Sequence, residues 1–163
     1  MSSITKRENG KYRARYRDAA DKEHARHFTR KVDAQRWLNE VTASVVTGRY
    51  VDPGAGRMTL RAYADQVWTP AQQHRAGTQQ QVRGHLARYV FPALGDRPLD
   101  SIRPSDVQAL VTSANATLGA GTVTVMYRYV SAIFKAATRD RRIAESPCVG
   151  IKLPRVEIGR AHV

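Results

Sequence analysis

The sequence predicts an α+β fold, in which a small three-stranded antiparallel sheet with one helix precedes an all-α domain of four helices. Three observations predict it. The pair Asn9-Gly10, which is typical of a type I′ hairpin turn, precedes a strand pattern at 11–17. Residues 31–47 have the apolar spacing of an amphipathic helix. From residue 59 onward, four further helical patterns are separated by connections that contain Gly or Pro.

The first domain, residues 1–48, is predicted to form three strands and then the helix. In the second strand Tyr12, Ala14 and Tyr16 alternate with cations, so one face is apolar and the other is cationic. A turn at 18–21 leads to a third strand that ends near Phe28. The helix is predicted to end at Gly48. Its apolar stripe consists of Ala34, Trp37, Leu38, Val41 and Val45.

The second domain is predicted to span residues 58–155, after a linker at 49–57 that has no periodicity. Its four amphipathic helices have short connections, which favours a compact bundle. The first helix is predicted to begin after Thr59 and to end before Pro70, and the second to begin at Thr78 and to end before a turn-rich connection at 91–99. The third is predicted to begin at Pro104, and the fourth to begin after Thr122 and to end near Arg142.

The composition is ordinary for a globular protein except for its charge. The 163 residues include 27 Lys and Arg against 14 Asp and Glu, a formal charge of +13, and 21 of the cations are Arg. Residues 1–57 hold 13 basic and 7 acidic residues, and residues 58–155 hold 13 and 6, so no single basic tail carries the charge. This excess favours a polyanionic partner, and the Arg bias favours nucleic acid, because the guanidinium fork suits phosphates and guanine edges.

Other function classes find little support. No apolar run approaches the ~20 residues of a membrane span, and no apolar segment follows the start as in a signal peptide. The single cysteine, Cys148, has no disulfide partner within the chain and no visible activating neighbour, which fits a reducing cytoplasm. His24 and His27 resemble half of a metal site without a second ligand pair. Because no phosphate-binding Gly-rich loop, paired carboxylate or nucleophile elbow is present, no active site, cofactor or small-molecule substrate is expected.

The strand at 11–17 is the strongest candidate for nucleic-acid contact. The opposite face already supplies the core, and the charges are unpaired within the strand sequence. A row of guanidinium groups on a short sheet can enter a groove of duplex DNA. The alternative is a solvated face whose cations serve solubility. The candidate residues are Lys11, Arg13, Arg15 and Arg17.

A polar stripe on the fourth helix of the second domain, with a counterpart on the second helix, is the other candidate. Gln, Arg, Thr and Ser can address base edges and phosphates, and a helix fits the major groove. The alternative is an ordinary exposed helix face. The candidate residues are Thr124, Arg128, Ser131 and Lys135 on the fourth helix, and Gln79, Gln80 and Arg83 on the second.

The order of short motifs resembles the amino-terminal portion of a tyrosine recombinase, of the integrase type carried by phages and integrative elements of actinobacteria. The resemblance covers about residues 5–156 and rests on the order and spacing of the motifs. They are GKYRARYR at 10–17, Phe28 and AQRWL at 34–38 for the arm-type DNA-binding domain, GRYVDP at 48–53 for the linker, and Thr59-Leu60, Tyr63-Ala64, FPALG at 91–95, Pro98-Leu99, IRPSDV at 102–107 and IAESP at 143–147 for the core-binding domain.

The resemblance implies a SAM-like fold for the helical domain and two contacts with double-stranded DNA per protomer. The sheet would bind arm-type sites through Lys11, Arg13, Arg15 and Arg17, and the second and fourth helices would face a core-type site. Other recombinase protomers would be partners of the full-length protein. In this family a carboxy-terminal domain carries the residues that cleave DNA through a 3′-phosphotyrosyl link. The chain as given is therefore expected to be catalytically silent, and to act in the bacterial cytoplasm at the nucleoid.

Two positions depart from the family pattern. Arg103 replaces a capping Thr or Ser, and Ser146 replaces Asn, which puts the local capping in doubt. The two His-x-x-Arg matches, at 27–30 and 85–88, are interpreted as coincidence, because no arginine box precedes them.

The end of the chain is expected to be a non-native tail at 156–163. The residues from Glu157 onward resemble the translation of a common sequencing-library adapter. The chain is then expected to be a fragment that lacks the catalytic domain.

Two other functions stay open on the sequence alone. A free-standing DNA-binding regulator could use the same modules, and a genuine stop codon downstream would favour it. A basic RNA-binding protein would share the charge, and a competition between RNA and duplex DNA separates it from the recombinase.

Overall fold

The computed structural model describes residues 2–156. The chain forms two compact units with their boundary between Asp52 and Pro53, inside the segment predicted as a linker. The α+β fold class is confirmed. The first unit contains β1 (Ser3–Lys6), β2 (Tyr12–Arg17), β3 (Glu23–Phe28) and α1 (Lys31–Val46); the second contains α2 (residues 60–71), α3 (residues 76–95), α4 (Pro104–Asn115) and α5 (Ala120–Arg139), with 3₁₀ turns at Ala55–Arg57 and Leu99–Ser101.

The sheet is antiparallel with the order β1-β2-β3. The first hairpin differs from the predicted type I′ turn, because Gly10 has a positive φ of 80° and Asn9 does not. The Gly10 amide donates to the Arg7 carbonyl at 2.9 Å, and the Arg7 amide donates to the Lys11 carbonyl at 2.7 Å. This is the longer hairpin with a bulge glycine. The Asn9 side chain accepts from the Lys11 amide at 3.0 Å, a local bond that stabilises this turn.

The core of the first unit lies between the sheet and α1. Its buried members are Ala14, Tyr16, Ala34 and Leu38, as the alternation and the helix stripe predict. The end of α1 is also as predicted: Gly48, at φ 70°, allows the amide-to-carbonyl bonds that close the helix.

Two helices of the second unit continue through proline, contrary to the prediction. We expected one helix to end before Pro70 and another before the connection at 91–99. Instead α2 contains a π-helical turn at Ala64–Trp68, and α3 becomes π-helical from Leu86 to Gly95 with Pro92 inside. A proline lacks an amide and collides with the carbonyl four residues earlier in an α-helix, and a wider turn relieves that collision.

Helix starts were predicted with mixed success. The Thr59 hydroxyl accepts from the Ala62 amide at 3.1 Å, as expected of a cap. Thr78 and Thr122 were wrong as starts, because α3 begins two residues earlier at Ala76 and α5 begins at Ala120. The predicted end near Arg142 was also late, since α5 ends at Arg139.

The two positions that depart from the family pattern are both locally satisfied. A carboxylate oxygen of Asp106 accepts from the Arg103 amide at 2.9 Å, so the third helical residue caps α4. The hydrogen bond from Arg97 lowers the pKa of that carboxyl below its usual range. The Ser146 hydroxyl accepts from the Cys148 amide at 3.1 Å, which supplies the turn.

The core of the second unit joins all four helices. The largest fully buried side chains include Tyr63 of α2, Leu86 of α3 and Phe134 of α5. The Tyr63 hydroxyl donates to the Asp140 carboxylate at 2.5 Å and so ties α2 to the end of α5. Burial raises the pKa of Tyr63 well above its ordinary value, so this donor stays protonated.

Within residues 2–156 no helix has the length and hydropathy to cross a bilayer. The expectation of a non-native tail falls almost wholly on residues 157–163, which lie outside the described part of the chain.

Candidate nucleic-acid interface

The register of the sheet gathers eight side chains on the face that α1 does not cover. Residues directly opposite each other in neighbouring antiparallel strands point to the same side. We call these eight residues the outer sheet face: Ser3, Thr5, Arg13, Arg15, Arg17, Glu23, Ala25 and His27. Three arginines in a row on the central strand dominate it.

Lys11 differs from the three arginines. It precedes β2 and lies in the hairpin, where it is exposed. Arg13 is half-buried, and its Nε atom is buried without a hydrogen-bond partner among the described residues. The buried Nε atom is closed to solvent, so only the exposed part of the Arg13 side chain can meet a group from outside the chain.

Although the charges are unpaired within the strand sequence, two of the arginines have an acidic partner on the neighbouring strand. The Glu23 carboxylate lies 3.4 Å from Arg15 Nη1 and 3.9 Å from Arg17 Nη2. The Arg15 Nε also donates to the Ser3 hydroxyl at 3.2 Å, so Arg15 is held by both neighbouring strands. Arg17 pairs in addition with Asp21 at 3.3 Å. These side chains keep about half of their surface exposed, with values of 44% for Arg15 and 50% for Arg17.

His24 and His27 face opposite sides of the sheet. His27 belongs to the outer sheet face, whereas His24 lies on the inner side, stacked on Tyr16 with ring centroids 5.0 Å apart. The His24 Nε2 atom is 2.8 Å from an Asp18 carboxylate oxygen and 3.9 Å from Asp52. His24, Asp18 and Asp52 together place three ligand-type atoms within 4.8 Å. Hydrogen bonds and the Lys22 ammonium, 3.2 Å from Asp52, account for this cluster, and we assign no ion to it.

Asp18 makes the first unit sensitive to acid. The hydrogen bond with His24, followed by the amides of Lys22 and Ala20, lowers the pKa of Asp18 below 3.8. A depressed pKa in the folded state stabilises the fold above the unfolded value, and this stability is lost as the pH falls through the folded pKa. We predict that in Asp18→Asn the free energy of unfolding of the first unit falls less as the pH is lowered, so that the acid limb of its pH dependence is flatter. Hydrogen exchange of the β2 and β3 amides over a range of roughly pH 2 to 6 measures this free energy.

The matched control for that variant is Asp21→Asn. Asp21 is also in the turn, at a φ of 62° that Asn tolerates, and its side chain is 83% exposed. The control should keep the acid limb because Asp18 and His24 remain. An unchanged acid limb in Asp18→Asn would contradict the assignment.

On α5 the predicted stripe contains two exposed cations and two hydroxyls that are hydrogen-bonded within the unit. Arg128 and Lys135 are exposed. The Thr124 hydroxyl donates to the Ala120 carbonyl at 2.8 Å, and Ser131 hydrogen-bonds the Tyr127 hydroxyl. The stripe therefore offers its charges outward while its hydroxyls have partners within the unit.

On α3 the counterpart residues lie in the first two turns. Gln80 and Arg83 are exposed, and Gln79 is half-buried. One turn later, His85 contacts Tyr129 of α5 with ring centroids 5.8 Å apart, which joins the two helices. The structure thus links α3 to α5 next to the predicted residues.

Sequence reasoning missed two residues of these surfaces. Glu23 was not singled out, because its partners Arg15 and Arg17 are on another strand. Arg139 is exposed four residues after Lys135 and, with Lys135 and Gln72, lines a groove of about 410 Å³ between α2 and α5. The i, i+4 spacing from Lys135 was the available signal for Arg139.

Cys148 has no features of a reactive thiol. Burial raises its pKa to about 11, so at neutral pH it carries a proton. The interpretation that Cys148 lacks an activating neighbour agrees with this environment.

Comparisons with known proteins identify the two units. The profile of the phage integrase N-terminal domain matches residues 2–47, and that of the phage integrase central domain matches residues 60–153. The integrase of Mycobacterium phage D29 is 23% identical over 159 residues, which cover 90% of this chain and 41% of that protein. The integrase of Mycobacterium phage L5 is 27% identical over 131 residues, which cover 74% of this chain and 34% of that protein. The chain thus spans less than half the length of these relatives.

Solved structures agree on the fold. A lambda integrase dimer bound to a COC′ core site superposes with a TM-score of 0.57 at 16% identity, covering 95% of this chain and 46% of that one. The phage integrase SAM-like domain from Moorella thermoacetica superposes with a TM-score of 0.52 at 21% identity, covering 70% of this chain and 98% of that one. With the central-domain profile matching more than half of its residues, the chain belongs to the phage integrase family and corresponds to the N-terminal part of a phage-type tyrosine recombinase.

Proposed function

We propose that this chain is the DNA-binding part of a site-specific recombinase and contacts duplex DNA through two separate surfaces. The outer sheet face binds arm-type sites, and the exposed polar sides of α5 and α3 bind core-type sites. Residues 1–48 form the arm-binding domain, 49–57 the linker and 58–155 the core-binding domain. The observation that carries the proposal is the row Arg13, Arg15 and Arg17 on the sheet face opposite α1.

Each surface has the composition that duplex recognition requires. Arginines on a narrow sheet can reach base edges in the major groove while neighbouring cations meet phosphates. On α5 the exposed Arg128 and Lys135 are seven residues apart, two helical turns on one side, which matches a helix lying along a groove.

The relatives suggest which partners and which step this part serves. Lambda integrase has been captured as a dimer on a core site and as a tetramer on a Holliday junction. We infer that this chain likewise works on duplex DNA together with other protomers, in the bacterial cytoplasm at the nucleoid. We further infer that these two domains bind DNA and that DNA cleavage belongs to a different part of the recombinase.

A competition experiment tests the proposed function. The chain is bound to fluorescent duplex DNA at several salt concentrations and then challenged with unlabelled duplex DNA or double-stranded RNA of equal length. We expect duplex DNA to compete far better, and log K to fall linearly with log salt. Equal competition by RNA would overturn the DNA assignment and favour an RNA-binding protein.

The helical surface is tested by removing two of its exposed cations. We predict that Arg128→Ala with Lys135→Ala weakens binding of the core-type duplex and reduces its salt slope by about one for each phosphate that the variant no longer neutralises, while arm-type binding is unchanged. The two duplexes are obtained by selection from a randomised pool, and binding is followed by fluorescence anisotropy.

The matched control removes two cations from the α4 side of the same unit. Arg103 precedes α4, and Lys152 is held against α4 by two hydrogen bonds between its backbone and the Gln108 side chain, at 2.8 and 3.1 Å. The variant Arg103→Ala with Lys152→Ala has the same net charge and should keep core-type affinity. Equal losses on both duplexes in the first variant would contradict the division into two surfaces.

A further inference from the structure

Glu23 is the single acidic residue among the eight of the outer sheet face. Its side chain is 38% exposed and lies between the guanidinium groups of Arg15 and Arg17. A surface selected only for contact with phosphates gains nothing from a carboxylate at this position, since the carboxylate repels the backbone of DNA. The position of Glu23 therefore needs a different explanation.

The chemistry of a carboxylate restricts what it can meet in a groove. An ionised Glu only accepts hydrogen bonds, and the major groove offers amino donors on cytosine and adenine. Cytosine N4 is the donor that Glu and Asp contact most naturally, because adenine presents its amino group beside the N7 acceptor, which repels a carboxylate. Guanine and thymine present acceptors alone on the major-groove edge, apart from the thymine methyl group.

The neighbours of Glu23 fix its direction. Arg15 is held by Ser3 on one side and Glu23 on the other, and Arg17 is held by Glu23 and by the Asp21 backbone carbonyl at 3.1 Å. The three charged groups lie on β2 and β3, and Ser3 ties Arg15 to β1, so they form one ordered unit. Such a unit presents an acceptor between two donors, which is the pattern of a base-reading surface.

We propose that Glu23 is a specificity-determining residue that selects cytosine at one position of the arm-type site. This inference rests on the proposed function of the outer sheet face and adds base recognition to it. Arg15 and Arg17 attract DNA, and Glu23 makes the affinity depend on which base faces it. When the facing base has no amino group, the carboxylate is desolvated without a donor and binding is weakened.

The test is a selection from a randomised duplex pool with three forms of the chain. When the selected duplexes are aligned, wild type should enrich cytosine at one position, which is one column of the alignment. The preference should be on the order of tenfold over guanine or thymine. Glu23→Ala should lose that preference and bind random duplex more tightly, because the repulsion of phosphates is gone. Glu23→Gln should shift the same column from cytosine to adenine, because a Gln amide pairs with adenine N6 and N7.

A matched control and two contrary outcomes complete the design. Asp21→Asn removes the other carboxylate that pairs with Arg17, in the turn rather than on the strand face, and should leave the cytosine column unchanged. If Glu23→Gln and Glu23→Ala keep the wild-type cytosine column and change only the total affinity, Glu23 merely orients the arginines and the inference is overturned. If wild type fails to bind duplex DNA at all, the proposed function itself is overturned, an outcome separate from a change in one column.

Discussion

The double variant Arg13→Ala with Arg15→Ala should lose arm-type binding by on the order of a hundredfold or more, since each charge-assisted hydrogen bond contributes about 1.5–3 kcal/mol. The salt slope should fall by about one for each phosphate left without its arginine. Arg13 lies half-buried on the outer sheet face, and Arg15 is held in position by Ser3 and Glu23 with 44% of its side chain exposed, so both can meet an external acceptor. Fluorescence anisotropy over a series of salt concentrations measures both quantities.

The sheet itself supplies the control for that experiment. Lys6 and Arg26 lie on the inner side, where Lys6 is over the Tyr12 ring and Arg26 is over the Phe28 ring, 5.3 Å from its centroid. Lys6→Ala with Arg26→Ala therefore removes the same charge from the same sheet without touching the outer sheet face. If both double variants lose affinity equally, net charge and not the outer face determines binding, and the proposal for the sheet is wrong.

The pattern of alternation was sufficient to predict both sides of the sheet. Tyr12, Ala14 and Tyr16 are separated by one residue each, and a strand permits only one division of such a sequence between its two faces. The apolar stripe of α5 was equally informative, because Val123, Met126, Val130, Ile133 and Ala137 are all buried. Local spacing determined these features, and local spacing is visible in one sequence.

Features that depend on distant residues were not predictable in the same way. Glu23 meets Arg15 and Arg17 only once the register of β2 and β3 is known. Asp106 caps α4 in place of a Ser or Thr at position 103, so the capping group comes from inside the helix. Pro92 stops an α-helix but is accommodated by the π-helical turns of α3, which local spacing does not predict.

The substitution Phe134→Ala should destabilise the second unit by about 3–5 kcal/mol, since Phe134 is fully buried at 0% exposure in the core that joins the four helices. Domains of this size have a total stability of roughly 5–15 kcal/mol, so the variant should unfold at a markedly lower temperature. Its first unit has a separate core built on Ala14, Tyr16 and Leu38, which the substitution does not touch. Two transitions should therefore be seen in calorimetry, and only one of them should move.

Binding should follow the same division. At a temperature between the two transitions, Phe134→Ala should lose core-type binding and retain arm-type binding through the outer sheet face. Leu38→Ala is the reciprocal variant, because Leu38 is 4% exposed in the core of the first unit, and it should lose arm-type binding first. A single transition that shifts in both variants, with both binding activities lost together, would show that the two units fold as one and that the two DNA surfaces cannot be separated by stability. The reciprocal result would establish that each DNA surface depends on its own core, because loss of packing in one unit would then remove one DNA-binding activity and leave the other intact.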